Sequence, residues 1–89
     1  MENTDIFERK VLKAEQGINI NFIKLKPGQE IPFHKHKSEK YDYILKGNLK
    51  DETGKYGEGD LIINKKGSGH SVKAGPEGCE FLVIFNKDY

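Results

Sequence analysis

Ile18, Ile20 and Phe22 alternate with Asn19 and Asn21, and the alternation runs on towards Leu25. A period of two puts the apolar side chains on one face of an extended chain, so this segment reads as a half-buried strand. Pro27-Gly28 ends it in a turn. A second strand is predicted over residues 41–46, continuing past a bend at Gly47 to residue 50. Residues 51–54, Asp-Glu-Thr-Gly, form a hairpin turn that returns through Lys55 and Tyr56. Residues 60–64 carry Leu61, Ile62 and Ile63 and read as a buried strand. A loop over 65–69 and a short strand over 71–74 follow. Gly75-Pro76-Glu77-Gly78 predicts a further turn, and residues 79–85 a closing strand with Phe81, Val83 and Phe85 on one face.

Residues 4–15 are less regular. Ile6, Phe7, Val11 and Leu12 fit neither the helical nor the strand period, and a first strand is expected near residues 10–13 with frayed residues before it. Ten glycines cut the chain into short pieces rich in Ile, Val, Phe and Tyr. Short strands bounded by turn residues are the pattern of an all-β sandwich or barrel.

The chain has 89 residues, which suits one domain spanning 1–89. Apolar residues make up 35% and charged residues 33%, so the core is thin, and a bound metal, a homodimer interface or both are expected to reinforce it. Fifteen basic against fourteen acidic residues leave a net charge of +1 with the basic residues spread along the chain, which argues against a nucleic-acid partner. The one cysteine, Cys79, excludes an intrachain disulfide and fits a reducing compartment. The N-terminal residues lack the pattern of a signal peptide, and no segment approaches the length of a membrane span. The expectation is a cytoplasmic protein without a membrane partner.

Chemistry concentrates in the three histidines. His34 and His36 stand at i and i+2 in a strand-like run and project to the same side. His70 follows the flexible Gly67-Ser68-Gly69 loop and is placed to face that pair across a small barrel. Three neutral imidazoles suit zinc, iron, nickel, copper or manganese. The alternative is three unrelated solvated histidines, with Lys35 and Lys37 marking a polar edge.

The surrounding residues favour convergence. Gly28, five residues, His34, one residue, His36 and then Gly47 resemble the first motif of the cupin superfamily. Gly59, five residues, Lys65, one residue, Gly67, two residues and His70 resemble the second. All three histidines fall on the metal-histidine positions of that family. The resemblance implies an antiparallel cupin barrel, also called a jelly roll or double-stranded β-helix, binding a divalent transition metal. The run 51-DETGKYGEGDLIINKKGSGH-70, with 75-GPEGC-79, is similar to the cupin domain of ChrR-type anti-sigma factors. Eighty-nine residues leave no room for the separate helical sigma-binding domain of such factors. The expectation is therefore a free-standing metal-binding module rather than a sigma-factor trap.

The match has departures. Where the family carries a glutamate ligand this chain has Lys40, and Glu39 is one residue out of register, which turns it to the opposite face unless a bulge intervenes. Asp42 shares the parity of Lys40 and is the other candidate for a ligand or acid–base group. Lys65 replaces the usual proline of the second motif, and Ala74 its terminal asparagine. An inward Lys40 would repel a dication, so it is expected to turn to solvent or lose its proton.

Phe33, Lys40 and Tyr56 are candidates to shape a pocket, while Tyr41 and Tyr43 read as packing residues and Cys79 as a buried inert thiol. Two functional readings follow. One is a metal-binding cupin of the ChrR kind, working as a binding or sensing module. The other is a non-haem metal-dependent dioxygenase or isomerase acting on a small oxygenated organic substrate. A metal-free barrel that binds a small molecule or simply dimerises is a third, with residues 6–12 as a candidate dimer contact.

Overall fold

The computed structural model describes residues 8–15 and 17–86, and every regular element among them is a strand. The first strand, expected near residues 10–13, begins already at Glu8, and the part of the frayed stretch before it lies outside the described residues. The strands are β1 (Glu8–Glu15), β2 (Ile18–Leu25), β3 (Glu30–Lys35), β4 (Lys40–Asp51), β5 (Gly54–Tyr56), β6 (Leu61–Asn64) and β7 (Gly69–Phe85). All pairings are antiparallel. The path runs β1-β2-β7-β4-β5, with β3 added to β7 and β6 added to β4. The all-β antiparallel architecture is the one the sequence predicts. Among the described residues no helix is long and apolar enough to cross a membrane.

One long strand replaces three predicted pieces. Residues 71–74, the Gly75–Gly78 turn and residues 79–85 all belong to β7. The four glycine-flanked residues do not reverse the chain. Gly47 pairs with Cys79 and Leu49 with Ala74, so residues 75–78 bulge out opposite the single residue Asn48. Above the bulge β7 pairs with β3, and below it β7 lies between β2 and β4. A bulge of this kind bends a strand and increases its twist, which lets one strand serve two parts of the wall. Backbones cross closely there. A Cβ on Gly47, whose φ is +82°, would run into the Gly78 carbonyl oxygen.

Four adjacent strands lie in register, and their residues form rows. Phe22, Leu82, Tyr43 and Leu61 make one row, and Ile20, Ile84, Tyr41 and Ile63 the next but one. Both rows face outward, with Leu61 and Ile63 more than half exposed. The row between them, Asn21, Val83, Asp42 and Ile62, faces inward. The alternation in β2 therefore faces the other way from the simplest expectation. Asn19 is buried at 5% exposure and Asn21 lines an interior cavity, whereas Ile18 is exposed. The inner face at this end is a polar site and the outer face is apolar, so hydropathy alone inverts the assignment. The core proper sits further along, where Ile23, Leu25, Ile44, Leu49, Val72 and Phe81 are buried.

Candidate metal centre

β3 owes its geometry to one extra residue. Ile31 pairs with Val72 and His34 with His70, so Pro32 and Phe33 together stand opposite Ser71. Proline donates nothing to a ladder and suits such a bulge. The insertion shifts parity, which brings His34 to the same face as Ile31 and directly opposite His70. His70 is thus the cross-strand neighbour of His34 rather than a residue facing it across the barrel. His36 lies just past the end of β3, where its N–H donates to the Ser68 carbonyl (2.8 Å) and its carbonyl accepts from Gly67 N–H (2.8 Å). The Gly67-Ser68-Gly69 loop therefore holds His36 beside His70. A Cβ on Gly69 would displace the Phe33 ring and press on the His34 carbonyl oxygen.

The three imidazoles form a compact triangle. Ring centroids are 5.0 Å apart for His34 and His36, 4.9 Å for His34 and His70, and 4.7 Å for His36 and His70. The rings are nearly perpendicular, with interplanar angles of 76–86°. Each offers one nitrogen to a group whose members lie within 4.8 Å of one another.

The other nitrogens are mostly accounted for. His34 Nδ1 lies 3.0 Å from the Pro32 carbonyl, which can only accept, so this nitrogen carries the proton and Nε2 keeps its lone pair. His70 Nδ1 lies 3.5 Å from Asp51 Oδ2, with both side chains buried. His36 is 4% exposed and neither of its ring nitrogens has a hydrogen-bond partner. A buried polar atom left in this state costs about 1–3 kcal/mol. Burial, then the charges of His70, His34 and Lys40, lowers its pKa from 6.5 to about 4. A neutral, dry imidazole with an unused lone pair, flanked by two others, is the chemistry of a transition-metal ligand. The donor set fits the metal that the cupin motifs imply.

The hairpin after β4 grips the third histidine. Asp51 Oδ1 accepts from Thr53 N–H (2.8 Å), Thr53 Oγ1 (2.7 Å) and Gly54 N–H (3.2 Å), which leaves Oδ2 facing His70. Burial raises the Asp51 pKa, but Thr53, His70 and Gly54 outweigh it and hold the carboxyl below its ordinary value. Its neighbour Glu52 accepts from Ser71 N–H (3.1 Å) and Ser71 Oγ (2.9 Å). Two successive carboxylates thus clamp two successive residues of β7.

The remaining candidates divide. Asp42 is buried and accepts from Asn64 Nδ2 (3.0 Å). Burial raises its pKa, and Asn64, the histidines and Lys40 oppose that shift. It lines the same cavity of about 460 Å³ as the histidines but stands outside their cluster of ligand atoms. Glu39 is exposed and accepts from the Tyr41 hydroxyl (2.8 Å), away from the cavity. Lys40 does not turn to solvent. It stays half-buried on the cavity wall with Nζ 4.9 Å from the Phe85 ring centroid. Phe33 lines the mouth and is 62% exposed. Tyr56 is elsewhere, packed on the core with its hydroxyl 2.7 Å from Thr53 Oγ1. Cys79 is buried, and burial first, then Glu80 and Asp42, raises its thiol to about 12, as befits an inert group.

Sequence reasoning passed over Arg9, Asn21 and Asn64, which structure places at the cavity or on Asp42. It also passed over Asp51 as a partner of His70. Asp51 did carry a signal, because it opens the hairpin run DETGKY. Arg9 carried none, since the register of β1 was not legible.

An antiparallel wall with three histidines gathered on it, two from one strand end and one from its partner, is the arrangement that the cupin motifs imply. The chain belongs to the ChrR cupin-like domain family, whose model matches residues 2–89. It is 34% identical over 93 residues to oxalate decarboxylase OxdC of Bacillus subtilis (strain 168), covering 90% of this chain. The chain spans about a quarter, 24%, of that relative. Among solved structures it resembles the anti-sigma factor ChrR of Rhodobacter sphaeroides, seen in complex with SigE, with a TM-score of 0.84 and 23% identity. That match covers 90% of this chain and 45% of the other. It also resembles KdgF from Halomonas sp., with a TM-score of 0.86 and 16% identity over 100% of this chain and 86% of that one.

Proposed function

We propose that this chain is a single cupin domain that binds a divalent transition metal through His34, His36 and His70 and works as a ChrR-like binding or sensing module. The observation that carries the reading is the pair of unpartnered nitrogens on buried His36, enclosed by two further imidazoles. A bound metal would supply a Lewis-acid centre with open positions for a ligand. The chain's own residues do the rest. The Pro32 carbonyl and Asp51 orient His34 and His70, and the Gly67-Ser68 backbone fixes His36. Zinc, iron, nickel and manganese all suit three imidazoles. Equilibrium dialysis tests the reading. One equivalent of metal retained by the protein and lost in His70→Ala is the expected result, and less than a tenth of an equivalent after soaking would overturn it.

A second reading is a metal-dependent enzyme, an oxygenase or isomerase of a small oxygenated molecule. It is favoured by buried Asp42 beside the histidines, a group able to move a proton, and by the identity shared with oxalate decarboxylase. Turnover of a diketone and catechol panel by the iron-loaded protein, lost in His70→Ala, tests it.

The two outward rows of apolar residues support a homodimer that covers this face. A monomer in light scattering would remove that element. The buried, unpaired Cys79 is consistent with a cytoplasmic home.

A further inference from the structure

Two cations line the cavity, and neither is held in an ion pair among the described residues. Lys40 pairs across the ladder with Phe85 on one side and Asn64 on the other, so it shares the inner face with them. Arg9 stands opposite Ile23, a core residue, and directly opposed residues of an antiparallel pair share a face. Arg9 is therefore directed inward from β1, and both side chains line the cavity that holds the histidines. Among the described residues the one carboxylate on the cavity wall is Asp42, and its Oδ2 is already engaged by Asn64. Against these charges the wall offers Phe81, Val83 and Phe85 on β7 and Ile31 and Val72 beside the histidines. With the imidazoles neutral, two cations face one acid, and a metal ion adds to the same sign.

We propose that the cavity receives a small organic carboxylate, its anionic group held by Lys40 and Arg9 and its apolar body laid against Phe81, Val83 and Phe85. The inference deepens the metal-binding reading and rests on it for the shared cavity, but its contacts are with different side chains. The volume, about 460 Å³, suits a molecule of aryl-acid size. Lys40 Nζ over the Phe85 ring is held at the junction between the apolar wall and the mouth, where it meets a carboxylate without being drawn into the core. Arg9 adds a planar donor fork that a carboxylate can engage with both oxygens.

The test is a calorimetric and NMR titration of zinc-loaded and metal-free protein with phenylacetate and with its neutral isostere phenylacetamide. Phenylacetate is expected to bind about tenfold or more tightly than the amide, the scale of one charge-assisted hydrogen bond. Lys40→Gln and Arg9→Gln each should remove most of that preference while leaving amide binding unchanged, and Lys40→Arg should restore it. Equal binding of acid and amide overturns the proposal. So does carboxylate binding insensitive to both substitutions, or binding of neither ligand by folded protein. Metal content measured on the same samples reports separately. Protein that takes up no metal but keeps the Lys40- and Arg9-dependent preference overturns the metal reading and supports this one.

Discussion

His70 Nδ1 lies 3.5 Å from Asp51 Oδ2, and the two side chains are 9% and 6% exposed. The carboxylate is not free to drift, because its other oxygen is held by three donors within the hairpin turn. A carboxylate behind a ligating histidine fixes its tautomer and orientation, and loss of such a partner weakens metal binding about 10–100-fold. Asp51→Asn keeps an oxygen for the Thr53 and Gly54 donors but removes the charge facing His70. Zinc affinity is expected to fall within that range while the thermal midpoint of the metal-free protein changes little, and NMR of the His70 ring should show its tautomer shifting. An unchanged affinity and an unchanged ring would show that Asp51 serves the turn alone.

Acid should weaken the metal-free fold through His36. Its pKa in the native state is depressed from 6.5 to about 4, so between those values the unfolded chain takes up a proton that the native chain refuses. Stability is therefore full above pH 6.5 and falls as the pH drops towards 4, with a slope of up to about 1.4 kcal/mol per pH unit from this one proton. Urea unfolding of metal-free protein between pH 4 and 7 measures it. His36→Gln should flatten this limb, and parallel curves for the two proteins would contradict the assignment.

Gly47 and Gly78 approach backbone to backbone where β7 bulges past Asn48. Gly47→Ala meets both a left-handed φ of +82° and the Gly78 carbonyl. A loss of about 2–4 kcal/mol in chemical denaturation is expected, the scale of strain compounded with overpacking. Gly17→Ala, also at positive φ but with open space around it, should cost about 1 kcal/mol. Equal costs at the two sites would mean that the crossing is not tight.

These results mark how far the sequence could be read. The strand content, the Asp51–Gly54 hairpin and the three histidines were legible, because turn residues and short-range spacing carry them. Facing was not. Ile20 and Phe22 look like core, yet they belong to outward rows, while Asn19 and Asn21 face a polar interior. A period of two gives two faces and does not say which is inside when both are partly apolar. Gly75-Pro76-Glu77-Gly78 reads as a turn by composition, but the distant pairing of its flanks, Ala74 with Leu49 and Cys79 with Gly47, makes it a bulge. The parity shift at Pro32-Phe33, which sets His34 opposite His70, is likewise a property of the ladder and not of the local sequence. The charge of Lys40 suggests a side chain that turns to solvent or loses its proton if it shapes a pocket. The Phe85 ring beside it gives an inward ammonium a seat.

The most direct measurement is anomalous scattering from crystals of the protein grown with zinc, collected on both sides of the zinc edge. A single strong peak about 2.0–2.2 Å from one nitrogen each of His34, His36 and His70 is the result predicted here. Crystals showing well-ordered imidazoles with no anomalous peak between them, or a peak held by other residues, would contradict it.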